Sequence, residues 1–160
     1  MRTIWRLEKE TYVDTAFRGK GSLKTGGRWH HKGTQITYDS EHPGVAVLEK
    51  LVWLGSYKMA RKSSYVLLPL HLDPEEHLET LDASALPDDW DTFPHPETTR
   101  ALGTQWVKEE RSVVLAVPSA MLPVAKNYLI NPFHPDFHDL EPGEPIPFSW
   151  DARLFQRIQD

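Results

Sequence analysis

The feature that most constrains this chain is a succession of β-type runs broken by only two helical patterns, with no regular alternation between them. TIWRL opens the series, QITY and SYVLLPLHL follow, and RSVVLAVPS, NYLINP and FSWDARLF complete it. β-Branched and aromatic residues of this kind suit half-buried strands. FSWDARLF puts Phe148, Trp150, Ala152 and Leu154 on one side of an expected strand. The helical patterns are SEHPGVAVLEKLVWLG and HPETTRALGTQWVKEE. In the first, Pro43 suits an opening turn, Ser40 is the upstream cap and Gly55 the terminator. In the second, Pro96 stands near the start, and Ala101, Leu102, Gln105 and Trp106 share a face. Residues 74–91 fit neither pattern. A doubly wound sheet needs strands and helices in turn, so this order predicts an α+β architecture.

At 160 residues the chain reads as one domain spanning 1–160, long enough to bury a sizeable core. It carries 18 basic and 23 acidic residues, a formal net charge of −5. That balance disfavours direct DNA binding, which depends on neutralising phosphates. With no cysteine, neither disulfides nor thiolate metal sites can hold the fold. MRTIWRLEKE lacks the apolar centre of a signal peptide, and no apolar run approaches membrane-spanning length. A cytoplasmic location and no membrane contact are the expectations.

Gly19, Gly21, Gly26 and Gly27 invite comparison with a phosphate loop, but no Gly-Lys-Ser/Thr closes it and no helix follows. Among the eight histidines, His134 and His138 have a spacing that would face one metal on a helix. Pro132 and Pro135 oppose a regular helix there, and no third ligand is evident. His30 and His31 are adjacent and would point to different sides of an extended chain. No metal is expected.

Glu49 is more informative. From Val45 to Leu54 apolar residues surround nearly the whole helical wheel, the pattern of a buried helix. Glu49 falls between Val45, Val52 and Trp53, on an apolar arc. A carboxylate removed from water must pair, change its pKa or line a cavity. A structural ion pair is one reading, and a carboxylate projecting into a cleft is the other. Arg28, after Gly26 and Gly27, offers a planar cationic fork for phosphate oxygens. Tyr38 can supply a stacking face and a hydroxyl, and Ser119 stands at the end of the strong strand VVLAVPS. Together these suit a ligand that bears both phosphate and a ring.

The ordered set WRL, GGRWHHKG, ITYDS, VAVLEKLV, VVLAVPSAMLP and NYLINPFHPDF resembles the RES-domain family, named for its Arg, Glu and Ser. The likeness runs from Trp5 to about Phe137. It implies an ADP-ribosyltransferase-like fold, related to diphtheria toxin, and the toxin half of a bacterial toxin–antitoxin pair. It implies NAD⁺ as substrate, with Arg28, Tyr38, Glu49 and Ser119 as the binding set and Arg28, Glu49 and Ser119 in the catalytic positions. It also implies an Xre-like antitoxin as partner, with DNA reached only through that antitoxin, and it leaves a homodimer open. One departure is His30, where family members usually carry asparagine after GGRW.

Chemistry and resemblance agree. Breaking the nicotinamide–ribose bond develops positive charge on the sugar, which Glu49 would oppose. Arg28 would hold the pyrophosphate, Tyr38 would stack on the nicotinamide or its ribose, and Ser119 would hydrogen-bond the ligand. No histidine base can be assigned to Ser119, so it is not read as a nucleophile. Net NAD⁺ consumption by a glycohydrolase or phosphorylase is the favoured outcome. Protein ADP-ribosylation is the alternative, and a catalytically silent partner-binding module is the alternative of another class.

Overall fold

The computed structural model describes residues 1–156. Strand β1 (Arg2–Lys9) and a strand at Tyr65–Leu72 pair antiparallel along their full lengths. This central ladder carries the rest of an eight-stranded sheet. In chain order the further elements are β2 (Thr37–Ser40), α1 (Pro43–Leu51), α2 (Tyr57–Ala60), β3 (the Tyr65–Leu72 strand), α3 (Pro74–His77) and β4 (Leu78–Thr80). Then come α4 (Glu97–Lys108), β5 (Val114–Pro118), β6 (Lys126–Ile130), β7 (Glu141–Pro142) and β8 (Ile146–Phe148). The sheet order is β4-β5-β6-β2-β1-β3-β7, with β8 also on β3. Among the described residues only β4 and β5 pair in parallel. Mixed α and β elements without regular alternation follow from the sequence order.

Side chains of successive strand residues point to opposite faces. The registers therefore sort the core. Ile4, Leu70, Leu72, Val114, Ala116, Tyr128 and Ile130 form a buried cluster on one face, closed by Phe17, Phe137 and Leu140. The other face is covered in two parts. Over β1 and β3, Ala46 and Leu51 of α1 pack with Leu7, Tyr65 and Trp150. Over β5 and β6, Trp29, Trp90 and Trp106 pack on Leu115, Val117 and Leu129. Between these parts lies the seam over β2 and β6, where the polar side chains of Ser40 and Asn127 meet.

Four sequence expectations change. Ser40 does not cap α1. It remains in β2, paired with Asn127, and its hydroxyl donates to Asn127 Oδ1 at 3.0 Å. The cap is His42, extended before Pro43, whose Nδ1 accepts the Gly44 N–H at 2.9 Å. Helix α1 also ends at Leu51 rather than Gly55, because Trp53 and Leu54 turn back on the carbonyls of Lys50 and Leu51. Helix α4 buries Thr99, Gly103, Thr104 and Trp106, while Ala101, Leu102 and Gln105 face solvent. Small residues make that face because the loop beneath it comes very close. Finally, FSWDARLF is a strand only as far as Phe148. Asp151 accepts the Arg153 N–H and opens a 3₁₀ turn over Ala152–Phe155, which breaks the alternation and leaves Leu154 exposed. Residues 74–91 resolve into α3, β4 and a short 3₁₀ turn at Ala83–Ala85. Among the described residues no helix is long and apolar enough to cross a membrane.

Candidate active site

Glu49 sits on α1, half-buried, at the seam between the two covered parts of the sheet. Its Oε1 accepts two hydrogen bonds, from Ser119 Oγ at 2.6 Å and from Asn127 Nδ2 at 2.9 Å. Both lengths fall in the range of bonds to an ionised acceptor. Bonds to charged groups are worth about 1.5–3 kcal/mol each, which holds this carboxylate in one pose. No partner for Oε2 is found among the described residues.

The donors arrive by strand register. Val117 lies opposite Asn127, and Ser119, two residues on, shares that face and returns its N–H to the Ala125 carbonyl. Asn127 also lies opposite Ser40. A chain of bonds thus runs from Ser40 through Asn127 to Glu49, and from Ser119 to the same oxygen. Ser119 is fully buried and its Oγ accepts the Leu122 N–H at 3.2 Å. The hydroxyl expected to reach a ligand instead reaches the carboxylate. Asn127 was not expected in the site. The strand pattern of NYLINP held its signal, since a hairpin from VVLAVPS would face Ser119 and Asn127 the same way.

The loop carrying Arg28 is fastened from below. Trp29, the large aromatic of GGRW, is 2% exposed and belongs to the core. The Tyr38 hydroxyl accepts the Trp29 N–H at 3.2 Å and lies 2.6 Å from His30 Nδ1. His30 Nε2 lies 2.8 Å from the Thr25 carbonyl, which can only accept. Nε2 therefore carries the proton, and Nδ1 accepts from Tyr38. Burial lowers the His30 pKa, with Arg100 and His31 acting the same way, which suits this neutral tautomer. Burial likewise raises the Tyr38 pKa. A Cβ at Gly27 would lie 2.6 Å from the Tyr38 hydroxyl and 2.8 Å from His30 Cε1, so only glycine fits there. The glycine pair thus lets the loop approach its own protein. Tyr38 ties loop to sheet, rather than offering its hydroxyl outward as expected.

Arg28 donates through Nη1 to the carbonyls of Trp90 and Thr92, each at 2.8 Å. Hydrogen bonds to its other nitrogens are absent among the described residues, leaving one edge of the fork available. Burial lowers the Arg28 pKa, opposed by the charges of Asp91 and Glu49. Glu49 and Arg28 are therefore near enough for their charges to act on each other. Arg100 on α4 was also missed by sequence reasoning; its Nε donates to the Gly27 carbonyl at 3.1 Å. His95 is the other addition, with a buried Nδ1 that has no partner. Burial first, then Arg28, Arg100 and His30, lower its pKa. The site brings an anchored carboxylate into the neighbourhood of a loop-held arginine. A cavity of about 260 Å³, lined by residues including Leu51, Leu54 and Phe155, sits past the end of α1.

No group of three or more potential metal ligands occurs among the described residues. His134 caps a 3₁₀ turn through Nδ1 and meets the Glu110 carbonyl through Nε2. His31 turns away from His30, to Thr104 and Glu97 of α4.

The RES domain model matches residues 3–151. Toxin Res of Photorhabdus laumondii is 35% identical over 153 residues, covering 94% of this chain and 96% of that protein. A Prs ADP-ribosylating toxin of Sphingobium is 30% identical over 160 residues, covering 97% of this chain and 98% of that protein. Among solved structures, the Mycobacterium tuberculosis MbcT–MbcA toxin–antitoxin complex holds a chain that superposes with a TM-score of 0.73 at 15% identity. That superposition covers 96% of this chain and 86% of the other, and at such low identity it speaks to the fold. With the family match running over almost its whole length, this chain belongs to the RES-domain family.

Proposed function

We propose that this chain is the toxin of a bacterial toxin–antitoxin pair and that it breaks the nicotinamide–ribose bond of NAD⁺ on an ADP-ribosyltransferase-like scaffold. The observation that carries the reading is Glu49, pinned through one oxygen by Ser119 and Asn127 and near enough to Arg28 for their charges to act on each other. When the C1′–N1 bond breaks, its electron pair moves onto the pyridinium nitrogen and neutral nicotinamide leaves. The sugar passes through an oxocarbenium-like state, and an acceptor oxygen adds to C1′ and loses its proton. Glu49 opposes the positive charge on the sugar through the oxygen its neighbours leave open. Its pose is fixed beforehand, so little reorganisation accompanies the reaction. The open edge of Arg28 grips the pyrophosphate. Ser119, Asn127 and Tyr38 act by positioning. Ser119 and Asn127 orient the carboxylate, and Tyr38 with His30 fixes the loop.

A second reading, transfer of ADP-ribose to a protein, is favoured by the name of the Sphingobium relative. Association with a cognate antitoxin is favoured by the toxin–antitoxin complex that shares the fold. We take that partner to be Xre-like and to supply the DNA contact, with the pair acting in the cytoplasm. Purified protein incubated with NAD⁺, with and without inorganic phosphate and cell lysate, tests the reading. Free ADP-ribose or its 1-phosphate is expected, alongside nicotinamide. ADP-ribose bound to a lysate protein would select the second reading, and intact NAD⁺ in every arm would contradict both.

A further inference from the structure

Trp53 and Phe93 are large aromatics left 67% and 72% exposed, yet they touch each other. Their ring centroids are 6.3 Å apart at 61°, an edge-on contact. They come from two segments, one following the helix of Glu49 and the other carrying the carbonyls that accept from Arg28. Trp53 lies four residues beyond Glu49, just after α1, where its backbone turns onto the Lys50 carbonyl. Phe93 follows Thr92, whose carbonyl accepts from Arg28, and it packs edge-on against His95 at 5.2 Å. A path of contacts thus runs from Glu49 along α1 to Trp53, across to Phe93, and through Thr92 to Arg28. The aromatic pair therefore joins the segment that follows the carboxylate to the segment that holds the guanidinium.

We propose that Trp53 and Phe93 form an aromatic clamp that stacks on a flat base ring of the dinucleotide. This rests on the NAD⁺ reading above. An edge-on pair leaves an aromatic face open to a third ring, the offset arrangement such rings prefer. Stacking on a base tolerates any ring identity and is worth a five- to roughly hundredfold change in affinity per base. If the ring is the pyridinium, the electron-rich aromatic face also attracts its positive charge. That attraction disappears once nicotinamide leaves neutral, which favours release of the product. Phe93 is coupled to the phosphate end as well, because the backbone next to it is fixed by Arg28.

The test uses the full-length protein and calorimetry with NAD⁺, ADP-ribose and nicotinamide mononucleotide. Trp53→Leu and Phe93→Leu keep apolar bulk but remove the aromatic face, while Trp53→Phe keeps one. Both leucine variants should weaken NAD⁺ binding about tenfold or more, Trp53→Phe should retain most affinity, and melting temperatures should hold because both side chains are exposed. Loss confined to nicotinamide mononucleotide would assign the clamp to the nicotinamide ring; loss confined to ADP-ribose would assign it to adenine. Wild-type NAD⁺ affinity in both leucine variants would overturn the clamp while leaving the NAD⁺ reading intact. Failure of the wild-type protein to bind NAD⁺ would overturn both.

Discussion

Gly103 is the point where α4 meets the loop that carries Arg28, and Gly103→Ala perturbs that contact with a single carbon. A Cβ built at Gly103 would overlap the Trp29 carbonyl oxygen and stand 2.7 Å from its carbonyl carbon and 3.1 Å from Trp29 Cβ. None of these atoms belongs to the far end of a flexible side chain. The Trp29 indole is locked in the core, and the backbone N–H of Trp29 is held by Tyr38. Two effects compete. Alanine favours the helix by about 1 kcal/mol over glycine. Overpacking a close contact costs about 1–3 kcal/mol, and a clash with fixed backbone belongs at the upper end. The clash wins by about 2 kcal/mol, a fall in melting temperature of about 4–8 °C for a chain this size. The loop must retreat by on the order of an ångström, a misplacement that can cost about a hundredfold in rate. Thermal melts and NAD⁺ turnover, measured well below the transition, are the assays. Gly21→Ala is the control, because nothing lies within 4 Å of a Cβ there. A Gly103→Ala protein as stable and active as the wild type would show that α4 does not seat on the Trp29 carbonyl.

Asn127→Ala removes one donor to Glu49 and strands the Ser40 hydroxyl, so kcat should fall about ten- to hundredfold with little change in KM; a pure KM effect would place Asn127 at the ligand instead. Tyr38→Phe keeps a ring but leaves His30 Nδ1 and the Trp29 N–H unpaired, a loss of about 1–3 kcal/mol by urea unfolding; unchanged stability would return Tyr38 to a ligand-facing role. Asp39 is 2% exposed, one of its oxygens lacks a partner, and burial raises its pKa to about 7, with Arg6 opposing. Because the folded value lies above the unfolded one, this carboxyl favours the fold most below about pH 4, and that contribution is lost as pH rises toward 7. Asp39→Asn should therefore gain stability relative to wild type across that window, by up to about 4 kcal/mol; a pH-independent difference would mean Asp39 is not buried as described.

Much of the fold followed from pattern. The apolar runs at Tyr65–Leu72 and Val114–Pro118 became buried strands, and irregular alternation excluded a doubly wound sheet. Where the expectation failed, local signals competed. Ser40 and His42 both stand close enough to Pro43 to cap α1, and only the long-range pairing of Ser40 with Asn127 decides between them. The inner face of α4 was hidden because apolar content was counted, whereas a close approach selects Gly103 and Thr104 for size. At the candidate site, Glu49 stands out because a carboxylate on an apolar arc is costly to leave unpaired, and Arg28 because a planar cation follows two glycines. Asn127 does not, since an asparagine in a strand has no such cost until register brings it to a carboxylate. Trp29, beside Arg28 in the sequence, anchors the loop from the core.

The central claim is that the carboxylate of Glu49 opposes charge on a ribose as nicotinamide leaves. Nicotinamide release from NAD⁺ by purified wild type and Glu49→Gln, followed by chromatography at matched folded fraction, tests it most directly. Glutamine keeps the shape of the side chain and removes its charge. The account predicts steady release by the wild type and a loss of a hundredfold or more in Glu49→Gln, in the range expected for removing a preorganised electrostatic partner. Release by the folded variant at the wild-type rate would contradict it.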